Sequence, residues 1–214
     1  MILGSHSSLS YLKPDQRIFK LFSFTNKTQS EDYIEQYELG VRAFDIGIWF
    51  DLSTEEPVIK YGHCIYDKSE KITNILKYLN LMGDCYVRLT LEDSSILGFS
   101  FSKWYIGEQE KLFSRFCEKV KLSYPRIHFF GGHSKSSNLV VASVLGNGPT
   151  CYEKCSSSAL LLNSKSDTDN LFHNIFDKLF NIFPRLFAKV WNKKNKNKYN
   201  MREDSILFID FVEL

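Results

Sequence analysis

Apolar residues recur along this chain in two rhythms. Between residues 69 and 81 they fall at Ile72, Ile75, Leu76 and Leu79, the i, i+3, i+4, i+7 spacing of an amphipathic helix. In Val41-Arg-Ala-Phe-Asp-Ile-Gly-Ile-Trp-Phe50 they crowd onto both faces, which predicts a strand covered on both sides. Further strands are predicted at Ile2-Leu3, Pro57 to Tyr61, Cys85 to Glu92, Arg126 to Phe130, Leu139 to Val144 and Ser205 to Val212. Helices are predicted from an N-cap at Ser30 to Leu39 with Gly40 as the stop, and over Ser69 to Leu81. Two more are predicted, from about Glu108 to Leu122 and over Asp169 to Trp191 with a break at Pro184.

Strands separated by helices argue for a mainly parallel sheet covered by helices. The expected architecture is α/β, a distorted or incomplete TIM (β/α) barrel forming one domain over residues 1–214. An open, doubly wound sheet is the alternative. It gains nothing from the sequence, which holds neither GxGxxG nor GxxxxGK[ST].

Composition narrows the class. A hydrophobic fraction of 43% with eighteen Phe describes a globular core, not a disordered chain. At this length about 70% of the unfolded chain's surface is buried. The net charge of +2 is well mixed except in Lys193-Lys-Asn-Lys-Asn-Lys198. That run reads as a solvated loop, with phosphate contacts to an anionic membrane as an alternative, and no nucleic-acid partner is expected. No stretch reaches the roughly 18 apolar residues of a membrane span. The expected compartment is outside the cell or its envelope if a leader has been removed, and cytoplasmic if Met1 is the true start. Five cysteines are read as structural thiols, with a Cys151–Cys155 disulfide as the alternative; Cys151-Tyr-Glu-Lys-Cys155 has the spacing of a helical turn or a zinc half-site, with no second pair to complete it.

In such a barrel, reactive side chains gather at the C-terminal ends of the strands. Polar residues there are His6, Asp45, the stretch Tyr61-Gly62-His63, the trio Arg88, Thr90 and Glu92, then His133 and Lys135, and Asp210. Asp210 stands among Phe208, Ile209, Phe211 and Val212. A carboxylate so placed is expensive to bury without a partner, and a histidine would be one.

Together these residues resemble the catalytic X domain of phosphatidylinositol-specific phospholipase C, above all its small bacterial members. The likeness is carried by Gly4-Ser5-His6-Ser7-Ser8, Gly40-Val-Arg-Ala-Phe-Asp-Ile46, Gly62-His63 and Ile209-Asp-Phe-Val212. It extends through Glu35 to Arg42, Tyr86 to Glu92, Phe129 to Gly132 and Phe183 to Lys189. The resemblance implies a phosphodiesterase acting on phosphatidylinositol or a related lipid at a membrane surface. His6 matches the general base and Asp210 its orienting carboxylate. His63 matches the general acid, or Tyr61 does if the register differs by two.

The chain departs from the family where positive charge is needed. The family's Asp after the first histidine is Ser7 here, and the arginine that clamps the phosphate is Gly47. The glycine usual after the second histidine is Cys64. Three accounts follow. Asp45 and Glu92 match two calcium ligands of the metal-dependent members, so Ca²⁺ is one. Replacement of the arginine by Arg88, His133 or Lys135 is another. In the third, the site has decayed and the domain binds lipid or a partner. A glycerophosphodiester hydrolase falls behind, because the second strand offers Asp45-Ile-Gly47 and no Glu-x-Asp pair. Finally, Ile96, Leu97, Phe99, Phe101 and Trp104 are expected in a loop at the rim, packed on the following helix or dipping into a membrane interface.

Overall fold

The structure, a computed structural model, describes residues 1–15, 27–61, 64–66, 68–92, 103–131, 145, 148–149, 151–154, 188, 192 and 205–213. Eight strands form one sheet: β1 (Ile2–Ser5), β2 (Ala43–Asp51), β3 (Glu56–Tyr61), β4 (Cys64–Ile65), β5 (Cys85–Leu91), β6 (Ile127–Gly131), β7 (Cys151–Lys154) and β8 (Ile206–Ile209). Three helices of more than one turn are described, α1 (Tyr33–Glu38), α2 (Ile72–Met82) and α3 (Lys103–Ser123). The parallel strands run in the order β7-β8-β1-β2-β5-β6. This is a curled, incomplete barrel of mixed α/β type.

The sheet is not parallel throughout. β3 returns antiparallel along β2, and β4 antiparallel along β3. One edge of β2 is occupied by β5 over Ala43–Ile48. The other edge is shared, by β1 at Ala43 and Phe44 and by β3 from Ile48 to Asp51. Between those two partners, residues 45–47 of β2 have no strand on that edge among the described residues. The turn that follows β1 fills this notch.

Two apolar layers hold the sheet. Phe44, Ile46, Ile48, Val87, Leu89, Leu207 and Ile209 face a large core, which Ile75, Leu76 and Leu79 of α2 and Phe113 and Phe116 of α3 complete. Each such side chain contributes about 1.5–3 kcal/mol on burial. On the other side, Ala43, Phe130, Ile206 and Phe208 form a smaller cluster inside the curl. Gly4 is needed there, since a Cβ at that position would lie 2.7 Å from the Phe208 ring.

Several boundaries differ from expectation. The N-cap of α1 is Asp32, not Ser30: its carboxylate accepts from the Ile34 and Glu35 N–H groups, and Glu35 returns the contact in a capping box. Gly40, at φ +96°, ends the turn as predicted. The helix read from Glu108 begins at Lys103, so the backbone of Trp104 lies in α3 and not in a loop; Ile96, Leu97, Phe99 and Phe101 lie outside the described residues. Cys151 begins a strand paired with β8, so the helical-turn reading of that segment fails, while Cys155 lies outside the described residues. The strand read to Val212 stops at Ile209, because Phe211 adopts φ +49°. The predicted strand at 139–144 and helix over 169–191 lie outside the described residues, Ala188 apart.

Candidate active site

The registers place four site residues in one row. Ser5 pairs with Ile209 on one side and Phe44 on the other, and Asp45 pairs with Arg88. One step beyond, Asp210, His6, Asp45 and Arg88 follow one another across β8, β1, β2 and β5. The row crosses the C-terminal ends of β8 and β1, where the sequence places barrel chemistry.

At one end of the row, His6 Nδ1 lies 2.8 Å from Asp210 Oδ1. A carboxylate accepts and does not donate, so the Nδ1 proton points to Asp210 and Nε2 is the basic nitrogen. Asp210 is 2% exposed and the His6 side chain 17%, so the carboxylate is sealed while the ring keeps an accessible edge. The backbone around the pair is turned away from the ladder on both chains: Ser7 has φ +45° and Phe211 φ +49°. Such conformations are uncommon for residues with a Cβ and cost of order 1 kcal/mol or more each.

In the centre of the row, Asp45 is committed. Its Oδ1 accepts the Arg88 Nε–H at 2.9 Å, and its Oδ2 accepts the Ser7 N–H at 3.0 Å. Burial alone would raise the Asp45 carboxyl. The Arg88 guanidinium, with help from His6 and the Ser7 N–H, overcomes this and holds it below the usual carboxylate range. Arg88 in turn lies over the Phe208 ring, with Cζ 4.2 Å from the centroid. The pair is almost wholly buried.

The backbone of Asp45 anchors the notch. Its carbonyl accepts the Ser8 N–H and the Tyr61 hydroxyl, and its N–H donates to Ser8 Oγ at 2.7 Å. Tyr61 also accepts the Leu9 N–H. Burial, then the neighbouring Asp45 charge, pushes the Tyr61 phenol far above its ordinary value. A phenol so pinned and so weakly acidic is a strut between β2, β3 and the turn after β1. It suits the general-acid role poorly.

Gly47 has no room for the arginine of the resemblance. A Cβ there would collide with the Lys60 carbonyl and lie 2.9 Å from Glu92 Cγ and Oε1. The space beside Gly47 is therefore filled by Glu92 and the β3 backbone.

Calcium can be tested against this donor set. It takes six to eight oxygens, mostly anionic. Both oxygens of Asp45 already accept hydrogen bonds, one from a guanidinium. Among the described residues no group of three or more His, Cys, Asp or Glu side chains converges. Asp45 and Glu92 as arranged do not fit a calcium centre.

The sequence-predicted residues thus divide. His6 and Asp210 are brought together, as are Asp45 and Arg88, and Glu92 lies beside Gly47. His63, His133 and Lys135 lie outside the described residues. Sequence reasoning missed Ser8, Thr28, Gln29 and Asn192, which support the row through backbone groups. The serine-rich run Ser5, Ser7, Ser8, Ser10 was a visible sign of a hydroxyl-stapled turn. Gln29 gave none, because one of its partners is 180 residues away.

Comparison with solved structures bears on the fold. The chain matches the phosphatidylinositol-specific phospholipase C of Listeria monocytogenes with a TM-score of 0.51 at 16% identity, covering 98% of this chain and 87% of that one. The fold is that of the bacterial phosphatidylinositol-specific phospholipases C. A pentafluoro-Phe form of the Staphylococcus aureus phospholipase C gives a TM-score of 0.52, again at 16% identity, over 98% and 85% of the two chains. No family model and no curated protein matches. The phospholipase C fold agrees with the distorted barrel expected from the strand pattern.

Proposed function

We propose that this protein is a phosphodiesterase of the phospholipase C type, cleaving the glycerophosphate diester of phosphatidylinositol or a related lipid at a membrane surface. The observation that carries the reading is the 2.8 Å bond between His6 Nδ1 and Asp210 Oδ1. It couples an accessible imidazole to a sealed carboxylate in a phospholipase C fold.

His6 Nε2 takes the proton of the inositol 2-hydroxyl as that oxygen bonds to phosphorus. The bond from phosphorus to the glycerol oxygen breaks, and the departing oxygen takes a proton from a general acid. Asp210 holds the ring in one tautomer and stabilises the imidazolium. The products are diacylglycerol and a cyclic inositol phosphate. His63 is assigned the acid's role, since Tyr61 serves as a strut.

Charge growing on the phosphate oxygens needs a positive neighbour. Because Arg88 is committed to Asp45, His133 or Lys135 after β6 is assigned that part. The reading does not use calcium.

The test is diacylglycerol release from phosphatidylinositol vesicles in EDTA. Turnover by the wild type that falls at least 10²-fold in His6→Ala supports the reading. Absence of turnover with and without Ca²⁺, with vesicle binding retained, would replace it by the lipid-binding module.

A further inference from the structure

The His6–Asp210 pair is built where a ladder should close and does not. In a parallel pair, a residue that donates its N–H to one strand accepts from the residue two further along that strand. His6 donates to the Ile209 carbonyl at 3.0 Å, so the Phe211 N–H should reach the His6 carbonyl. It does not. The Phe211 N–H goes instead to the Thr28 carbonyl, at 2.6 Å.

Residues Thr28 and Gln29 occupy the interrupted position. The His6 carbonyl accepts from Thr28 Oγ1 at 2.9 Å and from Gln29 Nε2 at 3.1 Å. Gln29 Nε2 also donates to the Ile209 carbonyl at 2.9 Å, and Gln29 Oε1 accepts the Val212 N–H at 3.2 Å. One amide therefore uses both its donors and its acceptor on the chains that carry His6 and Asp210. Gln29 has no exposed surface, so water cannot substitute for these contacts. Ser10 Oγ holds the segment in place by accepting both the Thr28 and the Gln29 N–H, each at 3.0 Å.

We propose that Gln29 is the positioning residue of the His6–Asp210 pair, a wedge that opens the β1–β8 ladder by one bond and fixes the separation of its two ends. The left-handed turns at Ser7 and Phe211 are the backbone's response to that opening. Without the amide, His6 and Asp210 remain neighbours in the sheet but lose the restraint that sets their side chains 2.8 Å apart. The proposal deepens the assignment of His6 as base and rests on it.

The experiment uses the full chain labelled with ¹⁵N-histidine, the His6 signals being assigned by their loss in His6→Ala. In the wild type a downfield Nδ1–H resonance reports the bond to Asp210. Gln29→Met keeps the shape of the side chain and removes its donors. Its Nδ1–H should exchange at least tenfold faster, with His6 titrating towards the behaviour of Asp210→Asn. In vesicle assays kcat should fall on the order of 10- to 100-fold with KM nearly unchanged. Ser10→Ala, which loosens the segment without touching the amide, should shift both readouts the same way by less, and it decides the matter if Gln29→Met fails to fold.

Retention of the wild-type resonance and titration in folded variants would overturn the wedge and leave the pair standing. A wild type without the resonance would overturn the pair, and the wedge with it. Neither result depends on turnover, so the resonance separates failure of this proposal from failure of the phosphodiesterase reading.

Discussion

The two halves of the polar row are built to different standards. At the β1–β8 end, a histidine with an accessible edge meets a sealed carboxylate, and Thr28, Gln29 and Asn192 fasten the backbone on either side. At the β2–β5 end, the carboxylate of Asp45 is consumed by Arg88 and Ser7, and the neighbouring Gly47 has no space for a cation. At the first end the proposed base and its orienting carboxylate are both in place. The second end holds a buried ion pair instead of an open cation. The two ends rest on different strands, so each can be altered without the other.

Mutations can sharpen that division. The largest effect is expected at the first end: Asp210→Asn should lower vesicle turnover on the order of 10²–10⁴-fold while the melting temperature changes little, measured by diacylglycerol release and calorimetry. Breaking the second end should instead cost stability. Arg88→Leu leaves the Asp45 carboxylate buried without its cation, and denaturant unfolding should show a loss of about 3–5 kcal/mol. A fold that tolerates this change without loss would remove the distinction between the two ends.

Acid should act on the second end too. The Asp45 carboxyl is held below its ordinary value, so its stabilising contribution is present above about pH 4 and is lost as pH falls through the lower folded value. Urea midpoints followed downward from pH 6 should drop in the wild type and flatten in Asp45→Asn. Smaller still is Tyr61→Phe. It removes one hydroxyl that donates to Asp45 and accepts from Leu9, and should cost about 1–3 kcal/mol with turnover within a few-fold of wild type. A 10²-fold loss of activity there would make Tyr61 the acid after all.

Much of the fold was legible because its signals are local. The Ile72, Ile75, Leu76, Leu79 spacing gave α2, and the apolar run after Gly40 gave β2. The β2–β3 hairpin was read as two strands but not as antiparallel. The link of residues 52–55 is too short for a parallel crossover, so the direction was recorded in the loop length and was overlooked. Cys151–Lys154 was missed as a strand because a four-residue segment has too few positions to show a period. Within the site, Asp210 declared itself as a carboxylate among apolar neighbours, and His6 as a polar residue at a strand end. That Arg88 would spend itself on Asp45 was not visible, since it depends on the register between β2 and β5. The stapling amides are the least legible of all, because their partners are backbone groups, which every residue carries.

The central claim is that His6, oriented by Asp210, draws a proton from the hydroxyl that attacks phosphorus, without a calcium ion. Phosphorus NMR of phosphatidylinositol vesicles with the wild-type protein in EDTA tests it directly. The account predicts that a cyclic phosphodiester appears first and that Asp210→Asn slows its appearance on the order of 10²-fold or more. Direct formation of a phosphomonoester, or a cyclic product made equally fast by Asp210→Asn, would contradict it.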